Sequence, residues 1–167
     1  CEMMAYCYAH LYRIPVSGLR FFTVYGPWGR PDMAAMTFVR KIAAGDTLQI
    51  FNNGNMKRDF TYIDDILTGT LNCLERPPID KTSEPPSNIY NLGNNRGEDL
   101  MKFVRIIERE VGSEAIIEYL PMQPGDVLET LADIDKSRAE LDYEPQVSIE
   151  EGLSRLVEWY VKFYELQ

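Results

Sequence analysis

Residues 20–33 read RFFTVYGPWGRPDM. The apolar and aromatic run 16–24 predicts a buried strand, which ends in a segment holding Gly26, Pro27, Gly29 and Pro31. Glycine reaches backbone angles closed to other residues and proline fixes its own, so this cluster makes a tight exit from a strand. A functional reading competes with that one. In α/β proteins ligands bind beyond the carboxyl ends of the strands, where such a loop lies.

Working outward, residues 2–12 place Met3, Met4, Cys7, Tyr8 and Leu11 at helical spacing, with Pro15 closing the segment. After the loop, Asp32 is expected to cap a helix whose apolar stripe is Ala35, Phe38, Val39 and Ile42, with Gly45 as its stop. Residues 48–51 read as a short strand, 52–55 as a turn built on Asn-Gly, and 58–63 as extended chain. Asp64 and Asp65 open the next helix, where two acids suit the amino end of the macrodipole. Residues 77–87 are a Pro-rich surface loop, and 88–92 a strand. A helix from about Glu98 carries Leu100, Phe103, Val104, Ile107 and Val111 and stops at Gly112. Then come a strand at 116–119, a turn at 121–127, an extended piece at 131–134 and a short helix at 135–141. Ser148 and Glu151 form a capping box for a last helix with the stripe Ile149, Leu153, Leu156, Val157, Tyr160 and Tyr164. Strands and helices alternate without an internal repeat, which is the α/β class.

Composition narrows the function. A formal net charge of -9 argues against nucleic acid or an anionic membrane surface as partner. No apolar run approaches the ~18 residues of a membrane span, and the opening CEMMAYCYAH lacks the basic region of a secretory signal. Cys1, Cys7 and Cys73 form no CxxC pair, so neither a disulfide framework nor a zinc site is expected, and a cytoplasmic setting fits best. His10, the single histidine, leaves little material for a metal cluster or a Ser-His-Asp triad. It reads as a plain helix residue, with a pH switch or a metal ligand as the alternative. Because the chain opens at Cys1 in mid-helix, it is expected to be a piece of something longer.

An acidic protein that binds an anion must concentrate positive charge. The candidates are Arg20, Arg30, Lys57 and Arg58, each beside a turn or strand end. Arginine suits carboxylate and phosphate because its planar fork donates two parallel hydrogen bonds. The bland alternative is a surface residue or an ion pair with an acid such as Asp59. Asp126 accepts from sugar hydroxyls or caps its turn, and Asn91 is a strand-end ligand or a turn former. Asp64 and Asp65 read as a helix start rather than an acid/base pair. Phe21, Phe22, Tyr25 and Trp28 read as core before ligand platform.

Four motifs occur together: FFTVYGPWGRPDM at 21–33, MKRDFTYIDDI at 56–66, YNLGNN at 90–95, and MQPGDV at 122–127 followed by ADI. In order and spacing the chain resembles the extended short-chain dehydrogenase/reductases, and the first two motifs are most similar to UDP-glucuronate 4-epimerases. The resemblance covers essentially all of 1–167. It implies a single fragment, the C-terminal part of a Rossmann-type parallel sheet interleaved with the smaller α/β nucleotide-sugar-binding lobe. By resemblance, Thr23 and Arg30 grip the carboxylate of glucuronate, Arg58 binds the UDP diphosphate, and Asp126 contacts the ribose with Gln123 nearby. Ile50 and Phe51 lie where the family builds its uracil pocket, and Phe22 where it contacts the nicotinamide of NAD. The implied partner is a UDP-sugar, UDP-glucuronate or UDP-galacturonate, and the implied full-length assembly is a homodimer formed through a helix pair that includes residues 2–12.

The departures matter equally. The family's chemistry needs Tyr-x-x-x-Lys, and no tyrosine here has a lysine four positions later. No GxGxxG occurs either. In the family that tyrosine–lysine helix runs into residues like CEMMAYCYAHLY, so the pair is expected upstream of Cys1 and the fragment alone is expected to be inactive. NRGEDL at 95–100 is a smaller departure, touching local loop contacts. A UDP-glucuronate decarboxylase, a nucleotide-sugar 4,6-dehydratase and a non-catalytic UDP-sugar-binding module remain the alternative readings.

Overall fold

The structure is a computed structural model that describes residues 1–81 and 83–165. The elements are α1 (Glu2–Tyr12), β1 (Val16–Phe21), β2 (Thr23–Tyr25), α2 (Ala34–Ala44), β3 (Thr47–Phe51), a 3-10 turn (Asn52–Gly54), β4 (Lys57–Tyr62) and α3 (Ile63–Glu75). They continue with β5 (Ser87–Leu92), β6 (Gly97–Asp99), α4 (Leu100–Val111), β7 (Ile116–Leu120), α5 (Asp135–Leu141) and α6 (Ile149–Phe163). Three parallel pairs carry the sheet structure: β1 with β5, β2 with β4, and β3 with β7. β6 adds to β4 antiparallel. The class is α/β. Of the Pro-rich loop at 77–87, Thr82 lies outside the described residues.

The strand expected at 16–24 is two strands. β1 follows β5 as far as Phe21, opposite Leu92. At Phe22 the amide still donates to Leu92 O (3.2 Å), while Val24 N turns back to Phe22 O (2.9 Å). Beyond that kink the chain joins β4, with Thr23 opposite Phe60. Both halves are apolar, so periodicity could not reveal the change of partner. A point where neighbouring strands part company is where α/β sheets place ligands.

Two cores result. Val39 and Ile42 of α2, Leu48 and Ile50 of β3, Phe60 of β4, Phe103 and Ile107 of α4, and Leu153 and Leu156 of α6 fill the larger one. Phe60 and Phe103 stack there with centroids 4.1 Å apart. The smaller core joins Ile66, Leu92, Ile134, Leu141 and Tyr143, with Phe22 and Val24 packed against it. The apolar stripes expected on α2, α4 and α6 are the buried faces, except that Tyr164 lies beyond α6 and is exposed and Val111 is only part-buried.

Several end signals differ from expectation. Asp32 does not cap α2; Met33 holds that position without a side-chain hydrogen bond, and Asp32 pairs with Arg30 instead. α4 begins at Leu100, because Glu98 sits in β6 and Asp99 caps the helix through Met101 N and Lys102 N. Only half of the capping box forms: Ser148 Oγ accepts from Glu151 N, while the Glu151 carboxylate binds Arg155 (2.6 Å). Residues 131–134 are not a strand; the amide of Ala132 is held by a side chain, Asp59 (2.9 Å). Asp65 does more than open a helix. It is buried, and its carboxylate accepts from Gln146 N and Val147 N (3.0 and 3.1 Å), tying α3 to the entry of α6.

Candidate functional site

At the parting of β1 and β2 lies an open cleft of about 520 Å³, with Thr23, Ile50, Phe51, Arg58, Gln123 and Asp126 in its lining. Local structure explains why residues so far apart in sequence meet. Thr23 opens β2 at the kink, and Ile50 and Phe51 end β3. Asn52, Asn53 and Gly54 then all take positive φ (51°, 51° and 78°), and Asn52 Nδ2 bonds Asn55 O (2.8 Å). Asparagine and glycine are the residues that adopt that backbone at least cost. At Gly54 a side chain would also meet Met101 Sδ at 2.6 Å. This turn does not close a hairpin: it sends the chain from β3, paired with β7, into β4, paired with β2.

The loop with Gln123 and Asp126 is anchored at both ends. On one side β7 pairs with β3, with Tyr119 opposite Ile50 and Leu120 opposite Phe51. On the other, Lys57 N donates to Leu128 O (2.9 Å) and Thr130 N to Lys57 O (3.2 Å). The loop must therefore span the gap between the ends of β3 and β4, with Gly125 (φ 91°) turning it and Asp126 N bonded to Gln123 O (3.2 Å). Arg58 is braced on the same segment: its Nη1 donates to Lys57 O (2.9 Å) and Leu128 O (3.3 Å).

Behind Arg58 stands Asp59, fully buried. Its Oδ1 accepts from Asn94 N (2.7 Å) and Thr61 Oγ1 (3.1 Å), and its Oδ2 from Asn95 N and Ala132 N (both 2.9 Å). One carboxylate thus fastens β4 to the turn after β5 and to the chain before α5. Arg58 does not pair with it, so the ion-pair alternative does not apply at this position.

Other candidates fall elsewhere. Arg30 lies outside the lining and forks onto the carboxylate of Asp32, a residue that does line the cleft. That hydrogen bond holds the Asp32 carboxyl below its ordinary range and raises the Arg30 guanidinium. Phe22 is on the other side of Thr23, in a shallow depression with Arg20, Phe21, Asn91 and Thr130. Arg20 is an ion-pair residue: its Nε and Nη2 each lie 2.7 Å from Glu2. Asn91 Nδ2 donates to Asp133 O (2.9 Å), Asp64 pairs with Arg155 (3.4 Å), and His10 is exposed on α1. Phe21 and Trp28 are exposed, and Trp28 packs on Trp159 and Phe163 of α6; Tyr25 alone of the four aromatics is buried.

Asp32, Thr37, Lys41 and Gln49 also line the cleft and were missed as site residues. Ala34, Thr37, Phe38 and Lys41 are spaced i, i+3, i+4 and i+7, so one face of α2 turns to the cavity. A polar Thr and Lys inside an otherwise apolar stripe was the available signal. Among the described residues no group of three His, Cys, Asp or Glu side chains is arranged to hold a metal ion, and no helix is long and apolar enough to cross a membrane.

Residues 1–93 match the NAD dependent epimerase/dehydratase family. The chain belongs to that family. It is 43% identical to Protein CapI of Staphylococcus aureus, covering 98% of this chain and 52% of that protein. It is equally 43% identical to a probable UDP-glucuronate 4-epimerase of Rhizobium meliloti, over 98% of this chain and 51% of that one. Among solved structures, the UDP-glucuronic acid 4-epimerase of Bacillus cereus in complex with UDP-glucuronic acid and NAD superposes with a TM-score of 0.86 at 34% identity, covering 98% of this chain and 50% of its own. The chain thus spans about half the length of the epimerase/dehydratase relatives it matches.

Proposed function

We propose that this chain is the UDP-sugar-binding part of an NAD-dependent UDP-glucuronate 4-epimerase. The observation that carries the reading is the convergence of Thr23, Ile50, Phe51, Arg58, Gln123 and Asp126 on one cleft, brought from four separate segments. In this reading the carboxyl end of β3 supplies an apolar seat for uracil at Ile50 and Phe51. Asp126 accepts from the ribose hydroxyls, with Gln123 beside it. Arg58, braced by two carbonyls, presents its free donors to the diphosphate. Thr23 and Arg30 hold the glucuronate carboxylate at the far end. Fixing that carboxylate matters because oxidation at C4 leaves a β-keto acid, and alignment decides whether the C–C bond to the carboxylate can break.

NAD, when bound, supplies reversible hydride exchange at C4 of the sugar. Within these residues the chain offers it one apolar contact, Phe22, and no glycine fingerprint. In our reading the rest of the cofactor site and the tyrosine–lysine pair belong to a longer, cytoplasmic protein, a homodimer that covers the exposed Met3, Met4, Leu11 and Tyr12 of α1.

Titration calorimetry of the chain with UDP and UDP-glucuronate tests the reading. Both should bind, and Arg58→Ala should weaken both by about ten- to a hundredfold, the worth of hydrogen bonds to a charged group. UDP binding that ignores the Arg58 substitution, or no binding at all, would sink the assignment. The same protein should leave UDP-glucuronate unconverted.

A further inference from the structure

The Arg30 fork is already occupied. Its Nε and Nη2 donate to the two oxygens of Asp32, the paired geometry an arginine offers to any carboxylate. We infer that Asp32 is a built-in competitor for the sugar carboxylate: it holds Arg30 in the free protein and releases it when a uronate enters the cleft. This rests on the reading of the cleft given above and adds a residue that controls its selectivity.

Three observations support the exchange. Asp32 lines the cleft together with Thr23 and Lys41, so the Arg30–Asp32 pair stands at the wall of the cleft a uronate would enter. The Asp32 carboxylate is not committed to capping a helix, since α2 starts on Met33 without its help. Both partners are largely exposed, with side chains 74% and 66% accessible, and such pairs open at small cost. A neutral hexose brings no carboxylate and leaves the pair closed. A uronate replaces one carboxylate with another, so its gain over a neutral sugar is held down by Asp32.

The test is the affinity of the 167-residue chain for UDP, UDP-glucose and UDP-glucuronate, in wild type, Asp32→Asn and Asp32→Glu. Asp32→Asn should tighten UDP-glucuronate by about two- to fivefold, the range set by an exposed ion pair, and leave UDP and UDP-glucose unchanged. Asp32→Glu keeps the acid and should stay near wild type. In an Arg30→Ala background the gain should vanish; a gain that survives there reflects simple repulsion and overturns the exchange. Weaker uronate binding in Asp32→Asn would make Asp32 a support for Arg30, and an unchanged ratio would remove it from selectivity altogether. If the wild-type chain binds no UDP, it is the reading of the cleft that fails, and the exchange falls with it.

Discussion

Asp59 and Asp32 are both aspartates beside an arginine of the candidate site, and they are built in opposite ways. Asp59 is fully buried and takes three backbone amides from segments 35 to 73 residues away in the chain, with the hydroxyl of Thr61 from its own strand. Asp32 is exposed and holds an arginine two residues before it. The buried one cannot move without stranding polar groups away from water, so it fixes the frame on which Arg58 stands. The exposed one can change partners freely, which suits a group that must yield to a ligand.

The sharpest way to break this comparison is Asp59→Ala. It leaves the amides of Asn94, Asn95 and Ala132 without acceptors, and should cost about 3–5 kcal/mol in urea unfolding. UDP affinity should fall with it, because Lys57 and Leu128, the carbonyls that brace Arg58, lie on the strand and segment that Asp59 joins. A loss under about 1 kcal/mol would mean that those amides find other partners and that Asp59 is no anchor.

Gly93→Ala probes the same frame with no change of charge. A side chain there would meet Ala132 Cβ at 2.3 Å, with both Asp59 oxygens at 3.3 Å. Backbone and core must shift, and overpacking of this kind should cost about 1–3 kcal/mol, read from the urea midpoint. A neutral Gly93→Ala would show that the joint between the turn after β5 and residues 130–132 is slack.

The two aspartates also divide what was legible in the sequence. The helices α2, α4 and α6 are legible because burial on one face repeats every three to four residues, and Gly45 and Gly112 mark the ends of the first two. Motif resemblance, not periodicity, points to the cleft residues. Nothing local marks Ile50, Arg58 and Asp126 as neighbours until β3 pairs with β7 and the chain beyond β7 bonds to Lys57 of β4. Asp59 was invisible for the same reason: its partners come from two distant segments, so it read only as a possible mate for Arg58. The kink at Phe22 escaped because a change of hydrogen-bonding partner leaves no trace in side-chain pattern. Asp32 deceives the other way: Asp before an apolar stripe is the usual cap signature, but its pairing with Arg30 competes for the same oxygens.

The smallest effect belongs to Asp32 and is read from the pH dependence of stability. Its carboxyl is held below the ordinary aspartate value of about 3.9 by the hydrogen bond from Arg30. Whatever the pair contributes is therefore complete above about pH 4 and is lost as pH falls through the lowered value, since the unfolded chain takes up its proton first. Solvent screens so exposed a pair, so Asp32→Asn should leave the urea midpoint at pH 7 unmoved within error and only flatten the slope of the acid limb. A drop at pH 7 comparable to that of Asp59→Ala would erase the distinction between the two carboxylates. It would also make Asp32 part of the frame, in which case it could not give up Arg30 to a ligand at small cost.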